Sequence, residues 1–157
     1  DAIYTAQREL PICILTADCL PIFLANKACD EIAIIHGGWR SLAQGILSNT
    51  LKCFKSNRQD IIAYFGAAIG ASNFEVGNEV KQAFMNIDPE LTKAFTQKNN
   101  SNKSLADLYK IGEILLRNEG IHQCYSGNFC TYRDKELFYS YRRDGITGRM
   151  GNIIWLE

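Results

Sequence analysis

The run Ile32-Ala33-Ile34-Ile35-His36-Gly37-Gly38-Trp39-Arg40 decides how the rest of the chain is read. Its first four residues are apolar and rich in isoleucine, the signal of a short buried strand. The two glycines let the backbone come close to a ligand. A helical pattern follows over residues 41–55, with Leu42, Ile46, Leu47, Thr50, Leu51 and Phe54 on one face. Lys52 and Lys55 suit the negative C-terminal end of that helix. Strand, Gly-Gly, then helix is an α/β arrangement. It leaves His36 at the carboxyl end of a strand, where such folds place their sites.

Outward from this run, residues 12–15 and 22–24 read as strands joined by a turn over 16–21. Residues 61–65 form a strand that opens into the small-residue loop 66–70, and 75–85 reads as a helix. Asp88-Pro89-Glu90 is a helix start with Asp as N-cap and Pro in first position. Residues 96–103 form a polar loop, Ser104-Leu105-Ala106-Asp107 opens a long helix, and Gly120 stops it. Residues 121–126, 137–141 and 153–156 close the chain as strands. The expected class is a mixed α/β (α+β) fold in one domain spanning residues 1–157.

Composition narrows the function. Hydrophobic residues are 46% and charged residues 22% of 157, the balance of an ordinary folded domain, which excludes a disordered chain. Seventeen basic side chains offset 17 acidic ones, so a general binder of nucleic acid or membrane surface is not expected. No apolar run approaches the ~18 residues of a membrane span, and no leader pattern is present, so a cytoplasmic protein is expected. The six cysteines, Cys13, Cys19, Cys29, Cys53, Cys124 and Cys130, contain no C-x-x-C pair and read as reduced thiols. Only two histidines are present, His36 and His122.

Two segments carry chemistry best in combination. Cys19 lies in the turn Thr16-Ala17-Asp18-Cys19-Leu20-Pro21, where a thiol faces a cleft more readily than inside a strand. His36 ends a neighbouring strand, and Gly37, Gly38 and the following helix start offer an anion site, with Arg40 as a fork for phosphate or carboxylate. This pairing suits a zinc-bound water or a Cys–His catalytic pair. Asp18 either orients the site or transfers a proton. Arg142-Arg143-Asp144-Gly145 with Thr147-Gly148-Arg149 reads as a cationic turn between two strands, whose three Arg could clamp a phosphate or carboxylate; Arg143 and Arg149 are its candidates for anion or structural contacts. His122 reads as structural and Asp107 as a helix cap.

Taken together, these motifs resemble the YfiH-like laccase-domain family, also labelled multicopper polyphenol oxidase or peptidoglycan editing factor. The matching blocks are Leu15-Thr16-Ala17-Asp18-Cys19-Leu20-Pro21, His36-Gly37-Gly38-Trp39-Arg40, residues 66–70 with Phe74-Glu75-Val76-Gly77, Asp107-Leu108, Cys130-Thr131, Ser140-Tyr141-Arg142-Arg143-Asp144 and Thr147-Gly148-Arg149. Ala67 and Ala71 stand where the family usually has Pro, and Ser41 where it has Gly. The resemblance implies a layered α/β sandwich with mixed sheets, related to the cytotoxic necrotizing factor catalytic domain. It also implies a zinc ion held by Cys19, His36 and a histidine of an N-terminal Gln-x-His motif. That motif has no counterpart here, so the expectation is that the family's N-terminal portion is missing and the third ligand lies outside this chain.

The family resemblance offers purine nucleoside phosphorolysis, with related adenosine deamination and methylthioadenosine cleavage. It also offers copper-dependent polyphenol oxidation and hydrolytic editing of a peptidoglycan precursor by a Cys/His pair. A multicopper centre is built mainly on imidazoles, and two histidines do not supply one. Zinc with an open position, beside Arg40 and glycine turns for an anion, fits phosphorolysis better. Zinc is therefore the expected cofactor, with copper as the alternative. A nucleoside and phosphate are the expected partners, and the sequence leaves the oligomeric state open.

Overall fold

The computed structural model describes residues 1–98 and 102–157. Its strands are β1 (Ala2–Thr5), β2 (Ile12–Thr16), β3 (Leu20–Asn26), β4 (Ile32–Gly37), β5 (Ile61–Phe65), β6 (Glu75–Gly77), β7 (Phe95–Gln97), β8 (Lys103–Ala106), β9 (Gln123–Ser126) and β10 (Met150–Ile154). The α-helices are α1 (Trp39–Ala43), α2 (Ile46–Leu51), α3 (Asn78–Met85), α4 (Leu108–Asn118) and α5 (Tyr141–Asp144). A five-stranded sheet runs β1-β4-β3-β5-β9, with only β5–β9 parallel. A β10–β2 ribbon and a small sheet β6-β8-β7 complete the set, so the fold is mixed α/β with several sheets.

Alternation along the central strands explains their apolar runs. Ile22 and Leu24 of β3, with Ala33 and Ile35 of β4, join the large core that includes Leu42, Leu47 and Leu51 of the first two helices and Ile111 and Ile114 of α4. Phe23 and Ala25, with Ile32 and Ile34, turn to the other face and meet Ile12 and Ile14 of β2 and Ile154 of β10. Strand β4 is thus covered on both sides, which is why it lacks the polar alternation of a half-exposed strand. Helix α4 sits close on the sheet: a methyl group on Gly112 would lie 3.0 Å from Leu20 Cδ2 and 3.1 Å from Phe65 Cζ.

Several expected boundaries are corrected. The helix expected over 41–55 starts earlier, at Trp39, and breaks in two at Gly45, whose φ of 78° a continuous helix cannot hold. Residues 75–77 pair with β8 as a strand, and the helix begins only at Asn78; Val76 is buried from that strand and not from the helix it mimics by spacing. The polar loop expected over 96–103 and the helix opening at Ser104 are instead largely strands β7 and β8, though residues 99–101 of that loop lie outside the described residues. Asp107 is itself the N-cap of α4, accepting the Lys110 amide at 3.0 Å. Gly120, at φ 84°, follows the end of α4 as expected. Asp88 does accept the Glu90 amide at 2.8 Å, but the turns it caps are 3-10. Residues 137–141 are not a strand: the Leu137 and Phe138 amides fold back to the Asp134 carbonyl, and Ser140 caps α5.

Candidate active site beside Cys19

The turn before β3 is locked from three directions. Asp18 has φ 86°, a left-handed conformation that Asp tolerates better than most residues, and it is only 8% exposed. Its carbonyl accepts the Ile69 amide at 2.9 Å. One carboxylate oxygen accepts the Thr131 hydroxyl at 2.6 Å and the other the Arg142 amide at 2.7 Å. Both oxygens are therefore occupied by donors. Asp18 thereby ties the turn to two distant segments, in keeping with the orienting alternative of the sequence reading.

That anchoring presents Cys19 at the start of β3, where Leu20 pairs with Gly37 and Pro21 with His36. Gly37 and Gly38 are needed for this junction. A side-chain carbon on Gly37 would lie 2.6 Å from the Leu20 carbonyl, and one on Gly38 would lie 3.3 Å from Cys19 Sγ. The room these glycines make is filled by Leu20 and Cys19. The Gly38 amide donates to the His36 carbonyl at 3.0 Å, and α1 is only five residues long, so this helix start carries little dipole for an anion.

Cys19 immediately precedes β3 and His36 lies on β4 opposite Pro21, so both stand at the joined ends of the two strands. Burial pushes the Cys19 thiol above its usual range, the Asp18 charge adds to the rise, and Arg149 offsets part of it. Burial holds the His36 imidazole below its usual range, so at neutral pH the ring keeps a lone pair to donate. A sulfur and a neutral imidazole nitrogen are donors of the softness zinc accepts. Among the described residues no group of three or more His, Cys, Asp or Glu is arranged to hold a metal. His122 is exposed just before β9 and lines no part of the Cys19 cleft.

A cleft of about 180 Å³ opens beside Cys19, lined by Asp18, Trp39, Ile69, Phe74, Leu108, Tyr141 and Arg142 among others. Typical ligand sites are about 300–1,000 Å³, so this cleft is smaller than a usual substrate site. Arg40 is exposed, with its guanidinium carbon 4.3 Å from the Trp39 ring centroid, so it backs an aromatic wall of the cleft. Arg149 is exposed and donates to the Thr147 and Gly148 carbonyls, both at 2.9 Å.

Arg143 donates to the carbonyls of Thr131, Tyr132 and Phe138 at 2.7, 3.1 and 3.0 Å, and pairs with Asp144 through two bonds. Its fork holds the chain, the structural alternative of its sequence reading. Sequence reasoning placed Arg142 in the cationic turn without singling it out, and Thr131 only in a matching block. The Arg142-Arg143 doublet gave no basis for choosing between its members, because the choice depends on which side chain the start of α5 turns inward. Cys130 is buried, with Sγ accepting the Gly70 amide at 3.1 Å and facing Asn73 Oδ1 at 3.4 Å. All six cysteines are unpaired. No helix among the described residues is long and apolar enough to cross a membrane.

Comparison with known proteins gives this geometry its context. The family model for the multi-copper polyphenol oxidoreductase laccase matches residues 1–157. The chain is 45% identical over 156 residues to the purine nucleoside phosphorylase YfiH of Escherichia coli, covering 99% of this chain and 63% of that protein. It is 44% identical to a purine nucleoside phosphorylase of Haemophilus influenzae, covering 100% and 65%. A crystal structure of a Neisseria meningitidis protein superposes with a TM-score of 0.96 at 42% identity, covering all of this chain and 64% of that one. The YfiH protein of Bacillus licheniformis superposes at 0.94 with 31% identity, covering 61% of its own chain. The chain thus spans a little under two thirds of the length of these relatives, and with its whole length matched it belongs to the YfiH-type laccase-domain family.

Proposed function

We propose that the chain carries the active-site half of a purine nucleoside phosphorylase, with Cys19 and His36 as its zinc ligands. The observation that supports this reading is the placement of Cys19 and His36 at the joined ends of β3 and β4, with an aromatic-walled cleft beside Cys19. The names of the relatives support the substrate class. Zinc held there with an open position would supply a Lewis acid for polarising substrate or water. Phosphorolysis forms a bond from a phosphate oxygen to C1′ of the ribose and breaks the C1′–N bond; the base leaves with the electron pair and takes up a proton. In this reading Trp39, Phe74 and Tyr141 stack on the base, Asp18 holds the turn, and Arg40 and Arg149 attract phosphate. The two histidines of this chain do not by themselves build a multicopper centre, which favours zinc over copper in this reading.

The test uses the full-length gene product. Cys19→Ser and His36→Ala should each abolish phosphate-dependent release of base from purine nucleosides, while circular dichroism stays that of the wild type. Full turnover in either variant would overturn the assignment.

A further inference from the structure

We infer that the Ser41 hydroxyl is a positioning group for His36: it pins the glycine hinge through which β4 passes into α1. His36 is followed at once by Gly37 and Gly38, and α1 begins at Trp39. Packing sets both glycines. A side-chain carbon on Gly37 would lie 2.6 Å from the Leu20 carbonyl and 3.2 Å from Ile22 Cδ1, and one on Gly38 would lie 3.3 Å from Cys19 Sγ. The junction is thus built from the two residues with the most backbone freedom to lose. Its restraint has to come from bonds made around it.

On the strand side, Gly37 is held by its pairing with Leu20. On the helix side the Gly38 amide donates to the His36 carbonyl at 3.0 Å, closing a three-residue turn, and the Leu42 amide donates to the Gly38 carbonyl at 2.9 Å. These are backbone bonds. The remaining one belongs to a side chain. Half-buried Ser41 reaches back from inside α1, its Oγ donating to the His36 carbonyl at 2.8 Å and the Gly38 carbonyl at 3.0 Å, with one proton shared between them. The two carbonyls flank Gly37, so this hydroxyl spans the hinge. No other side chain among the described residues donates to the backbone of residues 36–38. Without the hydroxyl the hinge gains freedom, and so does the backbone that aims the His36 ring. The consequence for a metal rests on the zinc-ligand reading above; the pinning itself does not.

The experiment compares the full-length gene product with its Ser41→Ala and Ser41→Thr variants. Amide hydrogen exchange and the histidine ring signals are read by NMR, and zinc affinity by competition with a fluorescent chelator. In Ser41→Ala the Gly38 and Leu42 amides should exchange about 2- to 10-fold faster, the ratio that matches the net worth of one hydrogen bond. Amides of β5 should keep their rates, because the loosening is local. The His36 ring signal should shift or broaden while that of His122 stays. Zinc should be held about 2- to 10-fold more weakly, by the same ratio. Ser41→Thr keeps a hydroxyl and should bring each reading back toward wild type.

Unchanged exchange at Gly38 in Ser41→Ala would overturn the inference. So would an equal acceleration at β5, which would make Ser41 a contributor to global stability alone. Zinc held equally well by wild type and Ser41→Ala would overturn it too, since the hinge would then have no hold on the ligand. If the wild type binds no zinc, while Ser41→Ala still loosens Gly38 and disturbs His36 and Ser41→Thr restores both, the pinning stands and the zinc-ligand reading fails.

Discussion

Replacing Asp18 tests whether the site is assembled by this one carboxylate. In Asp18→Ala the Arg142 amide and the Thr131 hydroxyl lose their partners at 2.7 and 2.6 Å in a region that is nearly closed to water. Each orphaned donor costs about 1–3 kcal/mol. Holding Ala at a φ of 86° adds about 1 kcal/mol, because Asp tolerates that region better. The sum is about 3–7 kcal/mol, a fall in melting temperature of about 6–28 °C for a domain of this size. Asp18→Asn is the discriminating partner. Its amide oxygen can accept from the Arg142 amide while its NH2 donates to a rotated Thr131 hydroxyl, so only charge assistance is lost, about 1–2 kcal/mol. Thermal and urea melts of wild type and both variants read these values. Turnover in Asp18→Asn should fall less than about 10-fold with the shape of the pH profile kept, since a proton-transfer group is typically worth 10²–10⁴-fold. An Asp18→Ala protein within 1 kcal/mol of wild type by these estimates would refute the anchoring argument. An Asp18→Asn protein that folds fully and has lost its activity would restore the proton-transfer role.

Three further outcomes are expected. Burial would raise the Glu31 carboxyl, but the Lys55 amide, the Ser56 hydroxyl, the Tyr4 hydroxyl and the Ser56 amide outweigh it and bring it from 4.5 down to about 2. A carboxyl lowered on folding stabilises the protein above its unfolded value. About 3 kcal/mol should therefore be present above pH 4.5 and lost as pH falls toward 2, and a melt series in which Glu31→Gln shows the same acid slope as wild type would contradict this. Gly37→Ala should destabilise strongly, since its new carbon meets the Leu20 carbonyl at 2.6 Å, whereas Gly45→Ala has open space and should cost only about 1 kcal/mol for its positive φ; equal losses in urea melts would refute the packing argument. Arg143→Ala should lower the melting temperature by several degrees without altering KM for phosphate, and a raised phosphate KM at unchanged stability would return Arg143 to the substrate.

The central strands were legible because their signal is local. Four apolar residues before His36-Gly37-Gly38 gave β4, and the apolar pairs around Cys19 gave β2 and β3 within one or two residues. The misreadings arose where long-range pairing overrode local spacing. Val76, Val80 and Phe84 stand four apart as on one helix, yet the antiparallel pairing of β6 with β8 draws Val76 into a strand. Gly45 carried the break between α1 and α2, but an isolated glycine inside an apolar periodicity is tolerated often enough to pass unnoticed. The placement of Cys19 and His36 at the joined ends of β3 and β4 was legible from turn position and strand end. Arg142 and Thr131 were not, because their contact with Asp18 joins residues 113 and 124 positions apart.

Elemental mass spectrometry of the purified full-length gene product, with Cys19→Ser and His36→Ala beside it, tests the central claim most directly. The account predicts close to one zinc per chain in the wild type and loss of that zinc in both variants, which keep their fold. Zinc retained by both variants, or several copper ions per wild-type chain, would contradict it.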